Sequence, residues 1–312
     1  MGNSRKKQTL HSAVDQLVKE GKHELGLIKK QLGIKWNPRF TPKKRRILKI
    51  ALVIFIIGML PFDMFVYEPR HIELNTYYVP VQNLPQGLDG LRVVQMSDLH
   101  LGSTTPNDII SKAVDMANSA RPDIVALTGD FVTYHESASV PLSKILSRLH
   151  PRIVTYAVLG NHDYDVGKKI VTDALNKCGI QVLVNRSMQP VRGLYIVGMD
   201  DPHGGKPDAV AAFRGIDENK CYIMLAHTPE QVYRLKGRHG LLLTGHTHGG
   251  QVRLPWMSGR MVPGYVNGRY IAGWYLDGDL RTYVNRGIGM TNAPIRFRCR
   301  PEVTVFVLDA VR

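Results

Sequence analysis

The sequence predicts an α/β domain with some α+β character, in which two mixed β-sheets pack face to face and helices lie outside. Short apolar runs recur between residues 77 and 308 and have the length and composition of strands. Two of them, 91–96 and 123–128, flank a helical pattern over residues 106–120, and a strand, a helix and a strand in succession imply parallel pairing. The C-terminal runs alternate polar and apolar residues, as antiparallel strands do.

The individual elements follow from local patterns. A helix over residues 106–120 is indicated by Ile109, Ile110, Ala113 and Val114, which recur at helical spacing, and a second helix is predicted over residues 167–179. The predicted strands cover residues 77–81, 91–96, 123–128, 153–159, 181–184, 193–199, 223–226, 241–243, 270–276, 280–284 and 302–308.

The positive charge of the chain is concentrated in front of this domain. Of the formal net charge of +15, residues 1–49 contribute +11, from 14 Lys and Arg against 3 Asp and Glu, which leaves +4 for the rest. A nucleic-acid-binding protein would carry its basic face on the folded domain, so the charge argues against nucleic acid as a partner.

Residues 47–67 form an apolar stretch interrupted by Lys49 and Asp63, and they are close to the ~20 residues that span a bilayer. Basic residues directly before the stretch predict that the N-terminus is cytoplasmic and the main domain extracytoplasmic. Because Pro61 and Asp63 shorten the uninterrupted run, a re-entrant or surface-lying segment and a buried core helix remain alternatives. We expect a cell-membrane protein.

The domain organisation follows from these features. Residues 1–46 are expected to be a basic, cytoplasmic tail with an amphipathic helix that either lies on anionic lipid headgroups or is simply solvated. Residues 47–67 are the anchor, and residues 68–312 are the catalytic domain. The three cysteines, Cys178, Cys221 and Cys299, are far apart and indicate neither a disulfide framework nor a zinc knot.

Side chains able to bind a metal follow five of the predicted strands. Any one of these residues alone is more often structural than functional, but seven at five strand ends indicate a common site. They occur in Asp98-Leu99-His100, Gly129-Asp130, Gly160-Asn161-His162-Asp163, Ala226-His227 and Gly245-His246-Thr247-His248. In an extended segment the two histidines of the last motif would point the same way.

The order Asp-x-His, Gly-Asp, Gly-Asn-His-Asp, His, Gly-His-x-His resembles the calcineurin-like metallophosphoesterases over residues 91–254. Segments 285–289, 294–297 and 301–303 resemble the closing part of a bacterial, membrane-associated branch of that superfamily. The resemblance implies the four-layer sandwich of that superfamily. It also implies a metal-dependent phosphoric ester hydrolase, and some members of the wider group are pyrophosphatases that act on UDP-diacylglucosamine.

The resemblance further implies a two-metal site. Asp98, His100 and His248 would bind the first ion, Asn161, His227 and His246 the second, and Asp130 both. Imidazole, carboxylate and amide donors together suit Mn, Fe or Zn better than Ca. Two such ions lower the pKa of a bridging water, so hydroxide is the expected nucleophile.

His162 resembles the family residue that is not a ligand but stabilises or protonates the leaving oxygen; supporting the loop is the alternative role. Family phosphatases often carry an aspartate and then an arginine at the positions that Thr133 and Tyr134 occupy here. This departure weakens the case for a protein phosphatase. It leaves Asp163 or Asp165 to orient His162.

The expected function is hydrolysis of a phosphodiester or pyrophosphate bond, with a lipid-linked nucleotide such as UDP-diacylglucosamine as the suggested substrate. Arg286 and Arg296 are candidates for contacts to a diphosphate, or else belong to a strand edge. Two alternative functions remain at this stage. One is a broad phosphomonoesterase or nucleotidase, and the other is a non-catalytic membrane scaffold that retains the fold.

Overall fold

The structure, a computed structural model, describes residues 41–102, 104–217, 219–253 and 269–310. Most of the tail predicted over residues 1–46 therefore lies outside the described residues. Residues Met59–Arg312 form one compact unit, separate from the unit that ends at Gly58. The helices are α1 (Pro42–Phe62), α2 (Asn107–Ser119), α3 (Ser139–Leu146), α4 (Asn161–Asn176) and α5 (Ala209–Ala212). The strands are β1 (Glu73–Val81), β2 (Arg92–Met96), β3 (Ile124–Thr128), β4 (Val154–Val158), β5 (Gln181–Val182), β6 (Arg186–Val191), β7 (Leu194–Gly198), β8 (Cys221–Leu225), β9 (Gly240–Thr244), β10 (Gly273–Asp277), β11 (Leu280–Val284) and β12 (Glu302–Ala310).

The strands form two mixed six-stranded sheets. The first sheet has the order β1-β12-β2-β3-β4-β5, and the second has the order β10-β11-β9-β8-β7-β6. Strands β2 to β5 are parallel, as the alternation of strands and helices predicted, and β7, β8 and β9 are parallel as well. The predicted fold class, two mixed sheets with flanking helices, is confirmed.

The central strands of the first sheet are apolar along their whole length because an apolar layer covers each face of the sheet. Between the sheets lie side chains such as Val93, Ile124, Ile223 and Leu243, and each of these is at most 1% exposed. Helices α2, α3 and α4 cover the outer face of the first sheet, where the apolar face of α2 packs against residues of β2 and β3. A strand that is buried on both faces has no polar face to show in the sequence.

The C-terminal strands pair differently from the prediction. Strands β10 and β11 are antiparallel, as their alternation suggested, but β11 is parallel to β9. Strand β12 lies between β1 and β2, antiparallel to β2 and parallel to β1. Polar and apolar alternation shows which face of a strand is buried, but it does not show the direction of the neighbouring strand. The pairing could therefore not be predicted from alternation.

Other elements, including the short helix α5, also depart from the prediction. Strand β6 and helix α3 were not predicted, and α4 begins at Asn161 rather than near Gly167. Gly167 has a φ of 132° and kinks α4, which is why only its second half was recognised as a helix. Strand β6 contains a proline and pairs only with β7, at the edge of the second sheet.

The apolar stretch forms a helix that continues through Pro61. Helix α1 passes into a π-helical turn over Asp63–Tyr67 and a final α-helical turn over Glu68–Arg70. By length and composition the whole helix, Pro42–Arg70, could cross a membrane. Among the described residues, many of its apolar side chains, such as Leu52 and Phe55, are more than half exposed, unlike those of a buried core helix.

Candidate metal centre

The predicted metal-binding residues lie at one end of the two sheets. We call the end at which β2, β3, β4, β8 and β9 finish the carboxyl edge. The loops continue the pairing of the strands, since the N–H of Asp98 donates to Gly129 O at 3.0 Å and that of His100 donates to Asp130 O at 2.9 Å. The two sheets are joined at this edge because the N–H of His246 donates to both carboxylate oxygens of Asp98, at 2.9 and 3.1 Å.

The donors converge through left-handed turns and not through extended backbone. Five non-glycine residues at the centre have φ between 46° and 69°: Asp98, His100, Asp130, His246 and His248. Such backbone is uncommon for residues with a Cβ and costs about 1–3 kcal/mol where it is strained. The expectation that His246 and His248 project from an extended segment is therefore wrong, because the chain turns immediately after β9.

Two glycines allow the loops to approach each other. A Cβ on Gly245 would overlap Ser97 and the Asp98 carboxylate, and a Cβ on Gly160 would overlap Asp130. The motifs contain glycine at these positions because backbone from one loop lies directly against donor side chains of another.

The carboxylate of Asp130 lies at the middle of the cluster. Its Oδ2 atom is 3.4 Å from Nε2 of His100 and 3.1 Å from Nε2 of His227. On one side of Asp130, His248 Nε2 lies 2.9 Å from His100 Nε2 and 3.6 Å from Asp98 Oδ1. On the other side, His246 Nδ1 lies 3.0 Å from His227 Nε2. The donors thus form two groups, Asp98 with His100 and His248, and His227 with His246, and Asp130 lies between them.

Hydrogen bonds orient two of the imidazoles. Nδ1 of His227 lies 2.8 Å from Thr128 O, which can only accept, so this nitrogen carries a proton and Nε2 is the atom that faces the cluster. Nδ1 of His100 lies 2.6 Å from the Thr133 hydroxyl. Thr133, which occupies the position of the family aspartate, therefore contacts His100 and not His162.

The protonation of the histidines depends on burial and on the Asp130 charge. Burial lowers the pKa of His100 and of His246 to about 3 and also lowers that of His248, so these rings are neutral with a free lone pair. Burial also lowers the pKa of His227, but the charge of Asp130 outweighs it and raises the pKa well above 6.5. Without a cation, a proton on His227 balances the buried carboxylate.

Asn161 and His162 are the first two residues of α4, and His162 faces the same cluster. The Oδ1 atom of Asn161 is buried and has no hydrogen-bond partner among the described residues, an arrangement that is costly unless a cation or water is bound. The N–H of His162 donates to Asp130 Oδ1 at 3.0 Å, and its half-buried ring lies edge-on to His100 with centroids 4.9 Å apart.

Asp163 has a different role from the one suggested for orienting His162. Its fully buried carboxylate accepts the N–H groups of Gly160, Asp130 and Phe131 at 2.8–2.9 Å. These bonds join the loop after β3 to the loop after β4. Asp163 therefore fixes the backbone that carries Asp130 and Asn161.

Both arginines proposed for substrate contacts have protein partners. Arg296 is fully buried, and its guanidinium donates to four main-chain carbonyls, those of Arg286, Gly287, Gly289 and Cys299. Arg286 pairs with Glu73 at 2.8 Å and Glu302 at 2.6 Å. These contacts correct the sequence-based suggestion, since both guanidinium groups hold the fold together.

His203 lies beside the cluster, although it was not among the predicted site residues. Its ring is nearly parallel to that of His246, with centroids 5.5 Å apart, and Nε2 lies 3.5 Å from Glu230 Oε1. The loop is held by Asp201, whose carboxylate accepts the N–H groups of His203 and Gly204. A signal was present, because Asp200-Asp201-Pro202-His203 follows an apolar strand as the other motifs do.

A family model described as calcineurin-like phosphoesterase matches residues 91–250. The chain is 32% identical over 254 residues to YkuE of Bacillus subtilis, an uncharacterized metallophosphoesterase, and this covers 78% of the chain and 87% of YkuE. It is 33% identical over 227 residues to the phosphodiesterase YaeI of Escherichia coli, which covers 70% of the chain and 82% of YaeI.

A third relative carries a more specific name. UDP-2,3-diacylglucosamine pyrophosphatase LpxG of Chlamydia trachomatis is 30% identical to the chain over 300 residues. The match covers 75% of the chain and 90% of LpxG.

Proposed function

The chain belongs to the calcineurin-like phosphoesterase family, whose members are metal-dependent hydrolases, and we propose that it cleaves a phosphodiester or pyrophosphate bond in a lipid-linked substrate. The observation that carries this proposal is the convergence of carboxylate, imidazole and amide donors around Asp130. A role as a non-catalytic scaffold would not need this set of donors in one place.

We assign the donors to two cations. Asp98, His100 and His248 would hold the first, and Asn161, His227 and His246 would hold the second. Asp130 would serve both, which its position 3.4 Å from His100 and 3.1 Å from His227 supports. The buried, unpartnered Oδ1 of Asn161 and the neutral imidazoles suit a cation, and mixed nitrogen and oxygen donors favour Mn, Fe or Zn.

When bound, the cations lower the pKa of a water molecule and neutralise charge on the phosphoryl group. The residues of the chain orient the reactants and move the proton. His162 is partly exposed at the edge of the cluster, and its main chain is fixed by Asp130, so its imidazole is placed to protonate the leaving oxygen. His203 lies on the His246 side and is placed to contact a part of the substrate that extends beyond the cluster.

The names of the relatives support the bond type. YaeI is a phosphodiesterase and LpxG is a pyrophosphatase. In both bond types the phosphorus carries two substituents through oxygen, and one of these oxygens leaves when the bond is cleaved. The LpxG match also supports a lipid-linked nucleotide as the substrate. The alternative, a broad phosphomonoesterase, is distinguished by the substrate screen.

The order of the elements supports membrane association. The helix that could cross a membrane ends at Arg70, and strand β1 of the catalytic domain begins three residues later, at Glu73. We therefore propose a membrane protein. The basic residues 43–46 before the helix favour an extracytoplasmic domain.

The decisive experiment is a substrate screen with the full-length protein in detergent, supplemented with Mn²⁺, Fe²⁺ or Zn²⁺ in turn. UDP-2,3-diacylglucosamine, bis-p-nitrophenyl phosphate and p-nitrophenyl phosphate are compared, and the same protein treated with a chelator is the control. We expect cation-dependent cleavage of the first two and much slower cleavage of the monoester. Preference for the monoester would favour a phosphomonoesterase, and no turnover with any cation would favour a scaffold.

A further inference from the structure

The side chain of Glu68, in the last turn after α1, is buried next to the metal centre although it has no basic partner in the part of the chain that the structure describes. Only 5% of the residue is exposed. Its Oε2 accepts the N–H of Arg298 at 2.8 Å, and its Oε1 accepts the N–H of Cys299. Arg298 has a φ of 52°, a conformation that turns consecutive N–H groups towards one anion.

A second bond joins the same two segments. In the π-helical turn over Asp63–Tyr67, each carbonyl would accept from the residue five positions later, as Asp63 O does from the N–H of Glu68. For Met64 that residue is Pro69, which has no N–H. The carbonyl of Met64 instead accepts the N–H of Arg296 at 3.0 Å.

The segment bound by Glu68 in turn contacts the loop that carries His248. The thiol of Cys299 donates to His248 O at 3.2 Å and lies 3.4 Å from Gly249 O. Phe297 forms a two-way link with the same loop, since its N–H donates to Gln251 O and its carbonyl accepts from Arg253 N–H, both at 2.9 Å. Residues 296–299 are therefore held between Glu68 on one side and the His248 loop on the other.

The same segment also supports Asp98. The Arg296 guanidinium donates to the carbonyls of Gly287 at 3.0 Å and Gly289 at 2.6 Å. The N–H of Gly289 donates to Asp98 O at 2.7 Å. Asp98 and His248 belong to the same proposed cation, so both paths from residues 296–299 lead to one metal site.

We propose that Glu68 is a positioning residue for the first cation, acting through residues 296–299 on His248 and Asp98. The inference rests on the metal pair of the proposed function and adds that the turn after the membrane helix is part of the metal centre. His248 has a φ of 51° and its own backbone does not favour that geometry, so outside support is required. A carboxylate suits this role because two N–H groups need two acceptor oxygens.

The test compares full-length wild-type protein with Glu68→Ala, Glu68→Gln and Asp123→Ala in detergent. Asp123 is the control, because its buried carboxylate also accepts a main-chain N–H, that of Arg92 at 2.8 Å, but it precedes β3 at the opposite end of the sheet. Unlike Glu68, it also pairs with a basic side chain, that of Arg152 at 2.7 Å. Metal content and affinity are measured by calorimetric titration with Mn²⁺. The visible spectrum of the Co²⁺-loaded protein reports the ligand geometry, and thermal unfolding reports stability.

We expect wild-type protein to bind two ions and Glu68→Ala to bind one of them at least tenfold more weakly, with an altered Co²⁺ spectrum. Glu68→Gln should be intermediate, because its amide oxygen can accept one of the two N–H groups. Asp123→Ala should lower the melting temperature and bind both ions as wild type does. If Glu68→Ala does not fold, Cys299→Ala tests the same path, and Cys299→Ser should restore binding because the hydroxyl can still donate.

Other results would overturn the inference. Wild-type binding of both ions by Glu68→Ala, or an equal loss of both ions in Glu68→Ala and Asp123→Ala, would overturn it while leaving the proposed function intact. Wild-type protein that binds no divalent ion would overturn the proposed function and this inference together.

Discussion

Nε2 of His227 and Oδ2 of Asp130 lie 3.1 Å apart, although His227 follows a strand of the second sheet and Asp130 follows a strand of the first. The contact therefore joins the two halves of the sandwich at the carboxyl edge. A buried carboxylate beside several imidazoles needs a balancing positive charge, and divalent cations would supply it.

Asp130→Asn should lower metal affinity by more than about 100-fold. Substituting a residue that only hydrogen-bonds to a metal ligand already lowers metal affinity about 10- to 100-fold. The substitution removes the negative charge of the carboxylate that lies between the two donor groups. His246→Ala should weaken one ion more than the other. Metal content after dialysis and cation-dependent turnover measure both effects. Asp115→Asn, at an exposed position of α2, is the control and should behave as wild type. Wild-type turnover in both site variants would refute the assignment.

Metal binding should release protons, mainly from His227. Its pKa in the metal-free protein is raised well above 6.5, so the ring is protonated at pH 7.5 and must lose a proton to offer a lone pair. Asp98 adds a fraction of a proton because burial raises its pKa to about 7, whereas His100 and His246, with pKa values of about 3, add none. Apparent affinity should therefore fall as the pH is lowered.

Titration calorimetry in buffers of different ionisation enthalpy measures this release. We expect about one proton per metal pair at pH 7.5, whereas a histidine with an ordinary pKa of about 6.5 would release only about a tenth of a proton. Binding enthalpies that do not change with the buffer would contradict the prediction.

His162→Asn should reduce turnover about 10²- to 10⁴-fold while leaving the metal content at two, because the residue is proposed to donate a proton and not to bind a cation. The loss should be small for p-nitrophenyl esters and for a nucleoside monophosphate leaving group, which need little protonation, and large for an alkoxide leaving group. Comparing the two substrates in the same variant separates the roles. Loss of a metal ion would instead make His162 a ligand.

Thr133→Val should weaken binding of the first cation about 10- to 100-fold, because it removes the hydroxyl 2.6 Å from Nδ1 of His100. Thr133→Ser keeps the hydroxyl and is the matched control. The two variants are compared by metal titration at the same pH. Equal affinities would mean that packing, and not the hydrogen bond, orients His100.

His203→Ala should raise KM about tenfold or more, as expected for loss of one polar contact to a charged substrate, with the metal content unchanged. The residue contacts the His246 ring and is partly exposed, so it is placed to meet substrate and not a cation. Steady-state kinetics on the preferred substrate measures the effect. A fall in kcat at unchanged KM would argue against substrate binding.

Much of the site could be predicted because its signals are local. Each donor follows a short apolar run, and parallel strands bring their carboxyl ends to one edge, so Asp98, Asp130 and Asn161 were expected together. His203 has the same kind of signal, since Asp200-Asp201-Pro202-His203 follows an apolar strand, but it lies outside the family motifs and was missed. Thr133 was noticed only as a departure from the family, since nothing local reveals its contact with His100.

The sequence alone determined that two mixed sheets form, that a long apolar helix precedes them, and that metal-competent side chains gather at strand ends. These properties depend on hydrophobic periodicity and on residue types within a few positions of each other. Only the tertiary structure decided the insertion of β12 between β1 and β2, the burial of Arg296 among main-chain carbonyls, and the contact of Glu68 with residues 298 and 299. These depend on partners up to about 230 positions away, since a polar group is satisfied by whichever partner the packed chain brings within reach.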